Sequence, residues 1–198
     1  MKQILNTIGG VAVLGTAMLF FLACAGTKAT VATNNAQTPV NPNGELHYKV
    51  PEGWVTEKPS SSMRFAQFKL PRADGDEEDA SLVVFFFGPN QGGSVSDNVD
   101  RWVGQMQQAD GSSSKDKART ETSTVNGLKV TTVDVSGTYT AQMSPGSDKH
   151  FNSGNYRLRA AIIETPRGNY FAKLIGPAKT VGRWEQSFVD YVKSFEFK

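Results

Sequence analysis

The side chains best suited to nucleophilic or metal chemistry are scarce in this chain of 198 residues, which holds two histidines, His47 and His150, and one cysteine, Cys24. Nucleophilic catalysis needs an acid or base beside the nucleophile, and a zinc site needs several ligands at short spacing. Neither histidine lies at the spacing of a metal motif from another ligand, and Gly-x-Ser-x-Gly and His-Glu-x-x-His motifs are missing. We therefore predict no catalytic, cofactor-binding or metal-binding residues, and a protein that is not an enzyme.

Two polar segments are candidates for binding ions. Residues 74–79 are almost all acidic, but they lack the ligand order and the closing glutamate of an EF-hand, so we expect a solvated hairpin loop. Residues 88–94 are rich in glycine and lead from a predicted strand into a predicted helix, where backbone amides can hold an anion. They lack the Lys-Ser/Thr of a P-loop and the Gly-x-Gly-x-x-Gly spacing, which favours a structural turn.

A polar groove beside the first predicted helix is the best candidate for a binding site. Arg101 and Gln105 lie one helical turn apart, next to the apolar stripe of that helix. We expect them near Tyr139 and Met143, at one end of the sheet. The candidate groove residues are Gln91, Arg101, Gln105, Tyr139 and Met143. The alternative interpretation is a solvated helix face.

The cysteine closes an apolar run near the start of the chain. Lys2 supplies a positive charge, residues 4–22 form an apolar core, and small Ala23 precedes Cys24, so we predict a secretory signal peptide over residues 1–23. The end of this run resembles a bacterial lipobox. That resemblance implies that Cys24 receives diacylglycerol, becomes the first residue of the mature chain and carries acyl chains such as palmitate.

Two other interpretations of the apolar run are an uncleaved transmembrane anchor and an ordinary signal peptide with an incidental cysteine. Asn6 and the Gly9-Gly10 pair argue against the anchor. A lone cysteine in an oxidising compartment cannot pair within its own chain, which favours lipidation of Cys24. The residues after Cys24 do not include the aspartate of an inner-membrane retention signal, which favours the periplasmic face of an outer membrane, if the host has one.

Composition separates a tether from a folded domain. Residues 24–44 contain mainly Ala, Thr, Asn, Pro and Gly, which is typical of a flexible tether. Residues 45–198 then form a single α+β domain of ordinary size. The formal net charge of +2 gives no electrostatic reason to expect a nucleic-acid partner. The expected partners are membrane lipid, through the acyl chains on Cys24, and an envelope protein.

Hydrophobic periodicity places strands and two helices in this domain. Strands are predicted at residues 46–50, 64–70, 81–87, 120–125, 128–136, 156–165 and 170–175. Asn126-Gly127 predicts a tight hairpin turn, because a type I′ turn needs two positive φ angles. Residues 82–87 are apolar at every position, which predicts a central strand covered on both faces, with Phe85 and Phe86 under opposite layers.

The first predicted helix has an apolar stripe at Val95, Val99, Trp102, Val103 and Met106. The second begins at Gly176-Pro177, and its stripe comprises Val181, Trp184, Phe188, Tyr191, Val192 and Phe195. Antiparallel hairpins interrupted by two helices predict an α+β layer fold, in which a mostly antiparallel sheet is covered by helices. Residues 139–155 form a long polar connection within it.

Residues 48–54 (Tyr-Lys-Val-Pro-Glu-Gly-Trp), the order of the strands and the amphipathic helix as the last element resemble the PsbP/Mog1-like superfamily. Three further segments, residues 63–68, 88–93 and 98–102, are similar to uncharacterised bacterial lipoproteins. The resemblance implies α/β/α layers and a binding role, and it supplies no catalytic residue.

These observations leave three functions open. The first is a lipid-anchored, non-enzymatic envelope protein that binds a protein or another envelope component. The second is a small-molecule carrier or sensor with a pocket at the end of the sheet. The third is an enzyme with an unrecognised carboxylate site. A deep apolar cavity with converging polar groups would favour the carrier, and a broad exposed apolar patch would favour the partner-binding module.

Overall fold

The computed structural model describes residues 44–144 and 146–198. The predicted signal peptide, Cys24 and the predicted tether up to residue 43 lie outside the described residues. Within the described part of the chain, no helix is long and apolar enough to cross a membrane.

The described part of the chain contains runs of strands interrupted by short helices. The strands are β1 (Leu46–His47), β2 (Val55–Glu57), β3 (Arg64–Leu70), β4 (Ala80–Phe86), β5 (Met106–Gln107), β6 (Arg119–Val125), β7 (Leu128–Tyr139), β8 (Ser153–Thr165), β9 (Gly168–Pro177) and β10 (Glu196–Phe197). The helices are α1 (Val95–Val103), α2 (Ser114–Lys117), α3 (Ala178–Arg183) and α4 (Glu185–Lys193).

The main sheet is antiparallel throughout, with the strand order β2-β3-β4-β9-β8-β7-β5, and β6 also pairs with β7. Strands β1 and β10 form a separate two-stranded ribbon. Sequential strands are neighbours in most of the sheet, and two-residue turns connect β6 to β7 and β8 to β9. The predicted α+β class, a mostly antiparallel sheet with helices packed on it, is confirmed.

The two faces of the sheet carry different apolar cores. On the first face, helices α3 and α4 place Val181 and Phe188 against fully buried strand residues such as Leu82. On the second face, helix α1 places Trp102 and Val103 against strands β7, β8 and β9. Alternate residues of each strand point to opposite faces, so one strand contributes to both cores.

Tyr191 lies at the centre of the first core. Its ring is fully buried. It belongs to an aromatic cluster in which neighbouring ring centroids lie 4.9–6.3 Å apart, and the other members are Tyr48, Trp54, Phe68 and Phe195. Most of these rings meet edge to face or tilted, which is the arrangement that the quadrupoles of aromatic rings favour. The hydroxyl of Tyr191 is buried and has no hydrogen-bond partner among the described residues.

The predicted tight turn at Asn126-Gly127 is confirmed. Asn126 and Gly127 have φ angles of 47° and 82°, and they join β6 to β7 in a two-residue turn. The Asn126 side chain also donates a hydrogen bond to the carbonyl of Phe195 at 2.8 Å, which attaches this hairpin to the C-terminal segment. Ser94 caps the first helix, since its hydroxyl accepts a hydrogen bond from the Asp97 amide.

Both predicted helices are shorter than their apolar stripes. Helix α1 ends at Gly104, because Met106 pairs with Tyr139 and extends the sheet as β5. The C-terminal helix is divided at Trp184, where the backbone has φ −97° and ψ 10°. The indole of Trp184 donates to the carbonyl of Pro71 at 2.8 Å and packs against Gly53, so contacts from a distant loop hold the break in place.

Strand β4 is less completely covered than its sequence predicts. Phe85 and Phe86 do lie on opposite faces, but both rings are only partly buried, and Phe87 beyond the strand is exposed. On the second face, helix α1 covers β7 and β8 and leaves this part of β4 open. The apolar side chains of Val83 and Phe85 form the floor of a cleft instead of a closed core.

A cleft over the second face of the sheet

The candidate site is a cavity of about 410 Å³ on the second face of the sheet. Strands β4 and β9 form its floor, and the segment that connects β7 to β8 forms a wall. The volume lies in the range of small-molecule sites. Its apolar lining is Val83, Phe85, Met143, Phe151 and Ile175, and its polar lining includes Arg64, Glu78, Asp79, Tyr139, Tyr156 and Lys173.

Lys173 is the central polar group of this cleft. It lies opposite Val83 in the pairing of β4 with β9, and its side chain is partly buried. Its ammonium group donates hydrogen bonds to Oε1 of Gln105 at 2.5 Å and to the hydroxyl of Tyr139 at 3.1 Å. The same nitrogen lies 5.0 Å from the centroid of the Tyr139 ring. These neighbours are all uncharged.

No carboxylate in the described part of the chain forms a salt bridge with Lys173. Burial, and then the positive charge of Arg101, lowers the pKa of the Lys173 ammonium to about 8. The shift has this direction because removal from water and a nearby cation both disfavour the charged form. The cleft thus contains a cation that no carboxylate of residues 44–144 and 146–198 neutralises.

Arg101 adds positive charge beside Lys173. A smaller cavity of about 220 Å³ shares Phe85 and Lys173 with the main cleft and is also lined by Arg101 and Gln105. The guanidinium of Arg101 donates to Oδ1 of Asn98. Asn98 in turn is fixed by hydrogen bonds of 2.8 Å from its amide nitrogen to the carbonyls of Gly92 and Ser94. The glycine-rich segment 88–94 therefore serves as a structural turn that positions the helix.

The opposite end of the cleft is acidic. The hydroxyl of Tyr156 donates to the carboxylate of Glu78. Burial, followed by this hydrogen bond and the charge of Glu78, raises the pKa of Tyr156 to about 12. Asp79 is already engaged, because it accepts from the Arg72 amide at 2.8 Å and lies 3.7 Å from the ammonium of Lys69.

The wall segment is an extension of the β7–β8 hairpin. Gln142 and His150 form an isolated bridge, and the amide of Thr140 donates to the carbonyl of Gln105 at 2.8 Å. Nδ1 of His150 lies 2.9 Å from the carbonyl of Thr140. The ring of Phe151 packs against Tyr139 with a centroid separation of 5.3 Å. The predicted long polar connection is thus partly ordered by backbone pairing.

The predicted groove residues reach different places. Gln105 and Tyr139 meet at the ammonium of Lys173, Met143 lines the main cleft, and Arg101 lines the smaller cavity. Gln91 is exposed in the turn that precedes α1 and lines neither cavity. The cleft lies over a face of the sheet, whereas the sequence placed it at one end.

Lys173 is the residue that sequence analysis missed. A signal was present, because Lys173 stands between Phe171 and Ile175 at alternate positions of a strand and therefore shares their face. A single lysine at an inward position of an apolar strand is unusual enough to mark a site.

The acidic segment 74–79 is a largely exposed loop, as predicted, and Asp76 and Asp74 also make contacts with α3. Oδ2 of Asp76 accepts hydrogen bonds from the amide and the hydroxyl of Thr180, at 2.9 and 2.6 Å. The ammonium of Lys179 donates to the carbonyl of Asp74. These contacts attach the loop to the start of α3. Among the described residues, no group of three or more His, Cys, Asp and Glu side chains is placed to hold a metal ion.

Comparison with known proteins gives similarity in structure but not in sequence. No family model and no curated protein matches the chain. A Pseudomonas aeruginosa protein of unknown function, PA94, is 14% identical with a TM-score of 0.41, over 71% of this chain and 94% of that one. LpqN, involved in cell envelope biogenesis of Mycobacterium tuberculosis, is 10% identical with a TM-score of 0.48, over 82% and 87%. Cyanobacterial PsbP from Synechocystis sp. PCC 6803 is 10% identical with a TM-score of 0.41, over 84% and 99%.

Proposed function

We propose that this protein is a lipid-anchored protein of the cell envelope whose folded domain binds, without chemical conversion, a small amphipathic carboxylate in the cleft over the sheet. The observation that carries the proposal is the ammonium of Lys173, which is partly buried in the cleft, hydrogen-bonded only to neutral groups and not paired with a carboxylate of the described chain.

The energetic argument concerns the missing countercharge. A partly buried cation loses hydration, and an opposite charge at hydrogen-bond distance compensates this loss. Gln105 and Tyr139 accept two of the three protons that a lysine ammonium can donate. A ligand carboxylate can accept the third. The hydroxyl of Tyr139 can donate to the same carboxylate, since its oxygen accepts from Lys173 and its proton stays available.

The apolar lining accounts for the rest of the proposed ligand. Val83, Phe85 and Ile175 line the floor beside Lys173. An aliphatic or aromatic body of the ligand would cover these side chains and gain about 25 cal/mol for each Å² of apolar surface removed from water. A cleft of this volume, with an apolar floor and converging polar groups, favours a carrier or sensor over a module that docks another protein.

Binding can be tested with octanoate, which joins one carboxylate to one alkyl chain. We expect isothermal titration calorimetry to detect octanoate binding to the wild-type domain, and Lys173→Met to weaken it at least about tenfold, which corresponds to the loss of one charged hydrogen bond. Wild-type affinity should fall as the pH rises through about 8, where the Lys173 ammonium loses its proton.

Lys129→Met is the matched control, because Lys129 is exposed at the far end of β7 and pairs with Glu164 at 3.0 Å. It should bind octanoate like the wild type. Absence of octanoate binding to the wild type, or equal binding by the Lys173 and Lys129 variants, would contradict the proposed site.

The anchoring half of the proposal rests on Cys24. We expect wild-type protein to incorporate labelled palmitate and to fractionate with membranes, and Cys24→Ser to lose both properties while the domain stays folded. The reason is that each buried methylene contributes about 0.8 kcal/mol, so two or three acyl chains anchor a protein stably. A Ser variant that remains membrane-bound in high salt would exclude the lipid anchor.

A further inference from the structure

Two opposite charges that lack ionic partners in the described chain face the same cleft. Lys173 has no carboxylate partner, and Glu78 accepts a hydrogen bond from the neutral hydroxyl of Tyr156 but pairs with no cation among the residues that the structure describes. Both residues line the 410 Å³ cavity. The remaining carboxylate of the lining, Asp79, already has Lys69 and the Arg72 amide beside it.

Two parallel tyrosine rings connect these charges. The rings of Tyr139 and Tyr156 are parallel within 5°, with their centroids 6.2 Å apart. The hydroxyl of Tyr139 contacts Lys173, and the hydroxyl of Tyr156 contacts Glu78. Each charged group therefore contacts the hydroxyl of a different tyrosine, and the two tyrosine rings pack beside each other.

The sheet register sets the scale of this separation. Val83 is opposite Lys173, and β4 begins three positions earlier at Ala80, which is roughly 10 Å of extended strand at about 3.3 Å per residue. Glu78 lies in the loop before Ala80, and both Glu78 and Lys173 line the cleft. Apolar Val83 and Ile175 lie between them.

We propose that the ligand of this cleft is amphoteric, with a carboxylate bound at Lys173 and an ammonium bound at Glu78 across an apolar body. This inference rests on the proposed function, because it assigns the second end of the same site. Positive charge lies toward the end of the cleft where β4 finishes, from Arg64 and Arg101. Negative charge lies where β4 begins, from Glu78 and Asp79. The electric field along the cleft therefore selects the orientation of such a ligand.

Octanoate and 8-aminooctanoate test this inference, because they share the carboxylate and the alkyl chain and differ by the terminal ammonium. We expect calorimetry to give tighter binding of 8-aminooctanoate to the wild type, by up to about fivefold, because Glu78 is exposed and an exposed ion pair contributes little more. Glu78→Gln should abolish this advantage without weakening octanoate binding, since glutamine keeps an acceptor for Tyr156 and removes a charge that repels a carboxylate.

Glu77→Gln is the control for the general loss of an acidic side chain, because Glu77 is exposed and does not line this cavity. It should keep the full advantage of 8-aminooctanoate. Circular dichroism of each variant verifies the fold.

The outcomes separate the two proposals. If 8-aminooctanoate binds no tighter than octanoate, or if its advantage survives Glu78→Gln, the amphoteric assignment is wrong, while the dependence of octanoate binding on Lys173 still supports a carboxylate site. If neither compound binds the wild type, the proposed function fails and this inference fails with it.

Discussion

Replacing Lys173 by methionine is expected to stabilise the ligand-free domain by about 2 kcal/mol at pH 7 while it removes carboxylate binding. Methionine has a similar length and fits the apolar floor, but it needs no hydration. The wild-type lysine keeps its charge at pH 7 in a place where burial lowers its pKa to about 8, below the reference value of 10.5. The buried charge therefore lowers the free energy of unfolding, and a bound carboxylate would compensate this loss.

The unfolding free energy should depend on pH because the pKa of Lys173 differs between the folded and unfolded chains. Between about pH 8 and 10.5 the unfolded chain keeps the proton on Lys173 more tightly than the folded chain, so the contribution of this residue to the unfolding free energy rises with pH. Below pH 8 both states are protonated and the full cost applies. The difference in stability between Lys173→Met and the wild type should therefore be largest near pH 7 and should shrink toward zero by about pH 10.5.

Urea denaturation at a series of pH values measures this difference directly. Lys129→Met provides the reference for the removal of an exposed lysine in a surface ion pair, which changes stability by at most about 1 kcal/mol. If Lys173→Met lowers stability at pH 7, or if its difference from the wild type does not change with pH, then Lys173 is a structural residue and the cleft carries no unbalanced charge.

Tyr191→Ala is expected to have the largest effect on stability, a loss of about 3–5 kcal/mol. The Tyr191 ring is fully buried between α4 and the sheet, with Tyr48 and Trp54 at centroid distances of 5.1 Å and Phe195 at 4.9 Å. Alanine would leave a cavity lined by rings that cannot all move to fill it. Thermal and urea unfolding monitored by circular dichroism measure the loss.

Tyr191→Phe separates packing from the hydroxyl. That hydroxyl is buried without a hydrogen-bond partner in the described chain, and burial raises the pKa of Tyr191 well above its usual value. Phenylalanine keeps the ring and removes the unsatisfied group, so we expect equal or higher stability, by up to about 1 kcal/mol. A clear loss of stability in Tyr191→Phe would mean that the hydroxyl is satisfied, for instance by water.

Local sequence determined much of the secondary structure. The Asn126-Gly127 pair specifies its own turn, because few other residues adopt two successive positive φ angles. Ser94 specifies the start of α1 through one side-chain hydrogen bond to a residue three positions later. Alternation over residues 64–70 reproduces β3 at both ends. In each case the interactions that decide the structure span only a few residues.

Long-range packing decided where those elements stop. The apolar stripe of the C-terminal helix continues through Trp184, but the contacts of its indole with Pro71 and Gly53 divide the helix there. Met106 fits the apolar stripe of α1, but it lies in β5 and pairs with Tyr139. Periodicity specifies which face of an element is apolar, and it contains no information about the partner that competes for its last residues.

The cleft is also a result of long-range packing. Alternation along a strand is enough to place Lys173 on the same face as Phe171 and Ile175, and residues 82–87 are apolar at every position. Packing between distant elements places α1 over one part of the second face and leaves β4 open, so that an expected core became the floor of a cavity. The site brings together residues 34–68 positions apart, namely Gln105, Tyr139 and Lys173. They meet because of the register of β7, β8 and β9 and the position at which α1 ends. A site assembled from separate elements depends on how the layers are offset, and a single sequence read segment by segment does not encode that offset.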